Sequence, residues 1–397
     1  MPWKTETQME QRQQLAILAK TGEFTVTELS RRFGVSRKTV HKWIDRFERA
    51  GLEGLADRHR APKNSPQKTP DEVEAIITAE RRLHPTWGSK KLYKILLRDH
   101  GIETPPARST IGEILKRHGL SKPRRRRPGV YPAQRGVLTE PERPNQVGCT
   151  DHKGWFLLGD GSRCIPLTIT DLHSRYVIGI EADEVSTQAS AQAGFVKAFR
   201  TFGLPEIIRV DNGSPFASMG PGRLSKLSVW WMLHGISVEF TRPGCPQDNG
   251  SHERMHKTLK AECCKAAKAN QRAQQKRFDE WREEFNTTRP HETLGMRVPG
   301  DVYRTSNKRA DERIKARLYE PGDEVLKVSS SGAIHLDGRN LHVGDALQNA
   351  TVALDRDPES GLIAVRFANV KLGEYKMDQK DPRLMYPGYY AEKWNRK

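Results

Sequence analysis

The chain of 397 residues contains no apolar run near the ~18–20 residues needed to cross a membrane, and Met1 to Met9 is too polar for a secretory signal. Cytoplasmic residence is the expectation. Cysteine is scarce. Cys149, Cys164, Cys245, Cys263 and Cys264 show no C-x-x-C spacing, so reduced thiols are expected, with neither a disulfide framework nor a structural zinc. None precedes position 149, which excludes a Cys/His zinc finger in the early part of the chain. Acidic residues are also in deficit, 49 against 67 basic ones, for a net charge of +18. The imbalance is uneven: up to Gly148 there are 30 basic and 17 acidic residues. A solubility charge has no reason to cluster toward one end, so a basic half of this kind points to a polyanion, most simply nucleic acid. The length calls for about two to four domains.

Leu15, Ile17 and Leu18 predict a first helix over 8–20. Thr25-Val26-Thr27-Glu28 has the form of a capping box, in which Thr and Glu satisfy each other's free backbone donors. The short helix it starts ends at Gly34, and Ser36 caps a third. There Val40, Trp43, Ile44 and Phe47 form the inward stripe, leaving Arg37, Lys38, His41, Lys42 and Arg46 outside it. Helix, tight turn and basic helix is the helix-turn-helix arrangement, whose second helix enters the major groove. A three-helix structural domain with a solvated basic face is the competing reading; the turn spacing and regional charge favour DNA.

Residues 1–60 are therefore expected to bind DNA. Residues 68–121 carry three further helical patterns, with Lys90 and Lys91 as candidate DNA contacts beside Lys94, Arg108, Lys116 and Arg117. The run Lys122-Pro123-Arg124-Arg125-Arg126-Arg127-Pro128 opens a basic linker over 122–144, suited to lie along phosphates.

From Asn145 the pattern changes. Short apolar runs at 146–151, 163–171, 175–181, 207–210 and 236–240 read as strands, with helices at 186–202, 224–234 and from Gly250. Three strands, helix, strand, helix, strand, helix is the order of a ribonuclease-H-like α/β fold. In such a sheet the first strand is central with the fourth beside it, so Asp151 and Asp211 become neighbours, and Glu253 comes from a flanking helix. Three carboxylates suit Mg²⁺, which prefers hard oxygen ligands. Two such ions about 3.5–4 Å apart serve an in-line displacement at phosphorus, and Mn²⁺ is a possible substitute. Asp171 and Asp248 read as structural, and His252 and His256 as DNA-contacting or surface residues. The alternating runs at 320–397 predict a small β-barrel.

Three blocks carry a family resemblance: Thr150 to Gly154, Val210 to Phe216, and Arg242 to Arg254. Together they resemble the integrase-core DDE transposases of bacterial insertion sequences, relatives of the retroviral integrases. Asn286 to Leu294, with Arg289-Pro290-His291, resembles that family too. The match spans roughly 145–305. It implies that Asp151, Asp211 and Glu253 are the catalytic metal ligands, and that helix-turn-helix units hold the terminal inverted repeats. It further implies metal-dependent cleavage to a 3′-hydroxyl, strand transfer into target DNA, a homo-oligomer on paired DNA ends, and residence at the bacterial nucleoid. One departure concerns spacing: between Asp211 and Glu253 lie 41 residues, more than is usual in the family. The alternative is a sequence-specific DNA-binding regulator with an inactive ribonuclease-H-like domain; the presence of all three acids argues against it.

Overall fold

The computed structural model describes residues 7–57, 68–121, 138–242, 245–309, 318–379 and 382–385. The chain divides into two compact units, Met1–Thr69 and Pro70–Lys397.

The first unit is α1 (Gln8–Lys20), α2 (Val26–Arg32) and α3 (Arg37–Ala50). Thr25 and Glu28 form the expected capping box, and Ser36 accepts from the Thr39 backbone N–H at 3.2 Å. Gly34 turns the chain between α2 and α3 at φ +63°, a conformation that suits glycine. Leu15, Leu29, Val40, Trp43 and Leu55 close a small core.

In the second unit α4 (Asp71–Leu83), α5 (Ser89–Arg98) and α6 (Arg108–Arg117) pack around Ile77, Trp87, Leu92, Ile95 and Ile111. Pro70 is the residue that precedes the first helical position of α4.

The central sheet follows: β1 (Val147–His152), the short β2 (Phe156–Leu157), β3 (Arg163–Asp171) and β4 (Val177–Asp183), then α7 (Gln188–Phe202), β5 (Ile207–Val210), α8 (Lys226–Leu233) and β6 (Ser237–Phe240). Strand order is β2-β3-β1-β5-β6, with β4 on β3. β1 is antiparallel to β3 and parallel to β5, and β5 is parallel to β6. The element order anticipated from periodicity is thus the order found, and β2 is an addition too short for periodicity to show. On one face α7 and α8 bury Phe195, Phe199, Leu227 and Trp231 against Leu167, Ile208 and Val210. On the other lie α9 (Gly250–Leu259), which runs into a π-helical turn at Lys260–Cys264, and α10 (Gln271–Thr287). Met255, Leu259, Phe278, Trp281 and Phe285 bury that face with Val177 and Ile180.

The C-terminal segment forms an open sheet, not the expected barrel. β7 (Glu324–Lys327), β10 (Thr351–Arg356), β11 (Leu362–Phe367) and β12 (Val370–Lys376) pair in the order β12-β11-β10-β7, while β8 (Ala333–Leu336) and β9 (Arg339–His342) make a separate hairpin. Among the described residues no pairing joins β12 to β7. The physical reason lies in what covers the apolar face. Val352, Val365, Phe367 and Tyr375 pack on Leu336 and Leu341 of the hairpin and on Leu224, Val229 and Met232 at and beside α8. A sheet covered by a neighbour has no need to close on itself. Contact is close: a Cβ at Gly222, itself at φ +61°, would stand 2.8 Å from Val370 Cγ1. The extra residues between Asp211 and Glu253 therefore include the seat of the C-terminal sheet.

Candidate active site

Parallel pairing of β1 with β5 sets Val147 against Ile207, Gly148 against Ile208 and Cys149 against Arg209. Carried two residues further, the same register sets Asp151 against Asp211. With a strand period of two, both acids continue the face of Cys149 and Arg209. They stand where β1 has one antiparallel and one parallel neighbour, at the carboxyl ends of the parallel pair, the customary place for a site in such sheets.

Side-chain bonds hold the surrounding loops. Asp211 Oδ1 accepts from the Gly213 N–H at 3.0 Å, and Asn212 Nδ2 donates to the Thr241 carbonyl at 2.9 Å. The amino end of α9 is tied to β1 by the Cys149 thiol, which donates to Asn249 Oδ1 at 2.8 Å. Asp248, one residue earlier, takes the Arg242 guanidinium at 2.6 Å and the Arg242 N–H at 3.1 Å, which hold its carboxyl below the usual range. It is occupied as a loop tie, as Asp171 is by Asn145 and Ser174.

Glu253 lies exposed in the first turn of α9. Burial pushes the Asp151 carboxyl up to about 7, the charge of Asp211 adds to the push, and Glu253 contributes a smaller part. Asp211 and Glu253 therefore both lie within electrostatic reach of Asp151. Among the described residues no three His, Cys, Asp or Glu side chains are drawn tightly enough together to enclose a metal ion. The chemistry of the donors nonetheless fits a hard divalent cation: three carboxylate side chains, one of them resisting ionisation because it is buried beside the charge of Asp211.

His252 and His256 are not surface residues. They are 2% and 4% exposed, because the α9 face they share with Met255 and Leu259 is the one laid on the sheet. His252 bridges Thr168 Oγ1 through Nε2 and Thr170 Oγ1 through Nδ1, each at 2.8 Å. His256 Nε2 bonds Thr168 Oγ1 at 2.6 Å, and its Nδ1 lies 3.6 Å from Asp151 Oδ2. Burial lowers both imidazoles, His252 to about 3. Their repeat at four residues, in step with Met255 and Leu259, was the signal that they face inward.

On α3, Arg37, Lys38, His41 and Lys42 are exposed, whereas Arg46 is half-buried with its guanidinium 5.0 Å from the Trp43 ring centre. Lys90 pairs with Glu292 at 2.7 Å, and Lys91 is half-buried. Arg124, Arg125, Arg126 and Arg127 lie outside the described residues.

Sequence reasoning missed Glu262. The π-helical turn re-aims it, and it accepts from Trp281 Nε1 at 2.6 Å, from Arg289 Nη1 at 3.3 Å and from the Thr86 hydroxyl. Its side chain and that of Arg289 are 9% and 8% exposed. This buried group binds α4–α6 to the core.

Among known proteins, models described as "Integrase core domain" match residues 141–246 and 234–299. A "Helix-turn-helix domain" matches 11–63 and a "Homeodomain-like domain" 39–115. The insertion element IS407 uncharacterized 31.7 kDa protein of Burkholderia multivorans is 24% identical over 253 residues, 61% of this chain and 86% of that protein. Among solved structures, the HTLV-2 integrase catalytic core domain in complex with magnesium is 15% identical and aligns over 42% of this chain and all of that one, with a TM-score of 0.33. The intasome of simian T-cell lymphotropic virus with the PP2A regulatory subunit B56 gamma aligns over 79% of this chain and 99% of that one, at 15% identity and a TM-score of 0.36. No helix among the described residues is long and apolar enough to cross a membrane.

Proposed function

With an integrase core and helix-turn-helix domains, the chain is related to the insertion-sequence transposases, and we propose that it binds an element's terminal inverted repeats, cleaves their 3′ ends and transfers them into target DNA. In this division of labour residues 1–60 and 68–121 bind the ends, and 122–144 runs along phosphates. Residues 145–305 perform the chemistry, while 320–397 support it. A homo-oligomer on paired ends and a place at the nucleoid belong to the same proposal.

The observation that supports it most is the β1–β5 register, which continued by two residues sets Asp151 against Asp211, with the amino end of α9, the helix that carries Glu253, tied to β1 through Asn249. Asp151, Asp211 and Glu253 would hold two Mg²⁺ ions, which when bound would supply activation of the attacking oxygen and stabilisation of the leaving one. The chain's own part is positional. The sheet fixes the spacing of the two aspartates, and the Gly213 and Thr241 bonds hold the loop after β5. His252 and His256, uncharged, fill the space behind Asp151 without competing for it as cations. In transfer, the 3′-hydroxyl oxygen of the element end attacks a target phosphorus. One P–O bond forms as another breaks, the target's 3′ oxygen leaves and takes up a proton, and no nucleotide is consumed.

A strand-transfer assay with a labelled element end and Mg²⁺ tests this. Wild type should join the end to target DNA, and Asp211→Asn should lower joining at least about 100-fold, as loss of a group that stabilises transition-state charge does, while end binding persists. Tight binding by wild type with neither cutting nor joining in Mg²⁺ or Mn²⁺ would instead establish the regulator.

A further inference from the structure

The helical module α4–α6 and the central sheet enclose a groove with an excess of positive charge. Lys91 of α5 faces Arg254 and Lys257 of α9, and Arg175 and His291 come from the turns after β3 and α10. The hollow of about 600 Å³ adjoins a second of about 1010 Å³ through Arg175 and Arg254, which line both, and Arg209 and Arg297 extend the lining. The result is a track, not an isolated pocket.

Acids in the lining are already committed. Asp171 accepts from Asn145 and Ser174, Glu292 pairs with Lys90 at 2.7 Å, and Asp248 pairs with Arg242 at 2.6 Å. Of the cations, Arg209 is paired with Glu239, Arg289 with Glu262, and Arg297 donates to the Leu294 carbonyl; the remaining ones are not so engaged. Among the described residues the side chains of Lys91, Arg175 and Lys257 make no hydrogen bond or ion pair, and that of Arg254 bonds only the Gly250 carbonyl of its own helix. Burial lowers Lys91 to about 7, the charge of Arg289 adds to the lowering, and Glu262 and Glu292 oppose it by less. Burial lowers Arg175 too, followed by the charge of Arg254. His291 is pushed down to about 3 by burial and by Lys91, Arg289 and Arg175, and its Nε2 is buried without a partner. Arg175 moreover holds φ +64°, a conformation unusual for a non-glycine residue. Lys91 and Arg175, half-buried like charges beside acids that are spent, oppose folding unless an anion joins them.

We infer that this groove binds the phosphodiester backbone of a DNA strand, with Lys91 and Arg175 each taking a phosphate. The inference rests on the reading of the chain as a DNA-processing protein, and it places one wall of the track on α9, the helix that carries Glu253. A track with cations in both lobes suits a polymer of phosphates better than a single small anion.

The test uses the full chain, as wild type and as the double variant Lys91→Met, Arg175→Asn. Met keeps the buried stem, and Asn tolerates positive φ. Affinity for a labelled duplex is measured by fluorescence anisotropy over a salt series, beside thermal unfolding without DNA. The variant should bind about 10-fold or more weakly near physiological salt, and its log–log salt slope should be shallower by about 2, close to 0.9 per lost phosphate contact. Without DNA it should unfold at the same or a higher temperature, since two repelling charges are gone. Unchanged affinity and slope overturn the inference. So does inorganic phosphate protecting wild type against heat as well as the duplex does, which makes the groove a small-anion site. Strand transfer on the same samples separates the two readings. If wild type joins DNA while the variant binds as before, the groove alone is wrong; if wild type never joins but the variant loses slope, the groove stands and the transposase reading falls.

Discussion

His252 and His256 must stay uncharged to occupy their places between α9 and the sheet. Their hydroxyl partners, Thr168 and Thr170, satisfy neutral rings, and burial lowers both pKa values far below the usual 6.5. For a depressed group of this kind the contribution to stability is whole above the unfolded pKa, and it is lost as pH falls toward the folded one. The window therefore runs from about 6.5 down to 3, with a slope of up to ~1.4 kcal/mol per pH unit for each ring. Urea midpoints at pH 7 and pH 5 should show a marked loss in wild type and a smaller one in His252→Gln, which has no proton to refuse. Equal losses would show that these rings do not control acid stability. At this scale the sequence was legible for acids and less so for histidines. Asp151 and Asp211 end apolar runs, and the parallel pairing of β1 with β5, continued by two residues, sets one against the other. The inward turn of His252 and His256 depends on which face of α9 meets the sheet, and a polar residue on an apolar stripe is ambiguous until its partners are known.

Among the elements, α10 is held to the edge strand β4 by more than its apolar face. Asn286 Oδ1 accepts the Val177 N–H and Nδ2 donates to the Val177 carbonyl, both at 2.9 Å, so one amide completes the backbone bonding of a buried strand residue. Asn286→Leu leaves both groups unpaired and should cost about 2–6 kcal/mol, at 1–3 for each buried unsatisfied group. Chemical denaturation checks this, and a loss below about 1 kcal/mol would mean that water replaces the amide. The helices and strands themselves were readable because caps and periodicity are local: Thr25 with Glu28, the 163–171 run and Ile207–Val210 stand where expected. The π-helical turn at Lys260–Cys264 was not readable. It is imposed from outside, by the buried partners that Glu262 must reach.

Across the second unit, the Arg289–Glu262 pair with Thr86 and Trp281 fastens α4–α6 to the core. Arg289→Ala strands a buried carboxylate and should cost about 3–5 kcal/mol. Hydrogen exchange should show the loss first in α4–α6 while β1, β3 and β5 keep their protection; uniform loss would mean that the module and the sheet open together. The family resemblance drew attention to Arg289-Pro290-His291, but nothing in the local pattern shows that Arg289 reaches across to the helical module.

The C-terminal sheet carries a further consequence, for how the molecule can be divided. Leu224, Val229 and Met232, inside the segment that matches an integrase core, share one apolar cluster with Val352, Val365 and Phe367. A fragment stopped at residue 305 would present those three side chains to water as a sticky patch. It should elute from a sizing column as an aggregate, whereas the chain through residue 385 runs as a defined species. The limits drawn by kinship are not the limits at which this protein can be cut.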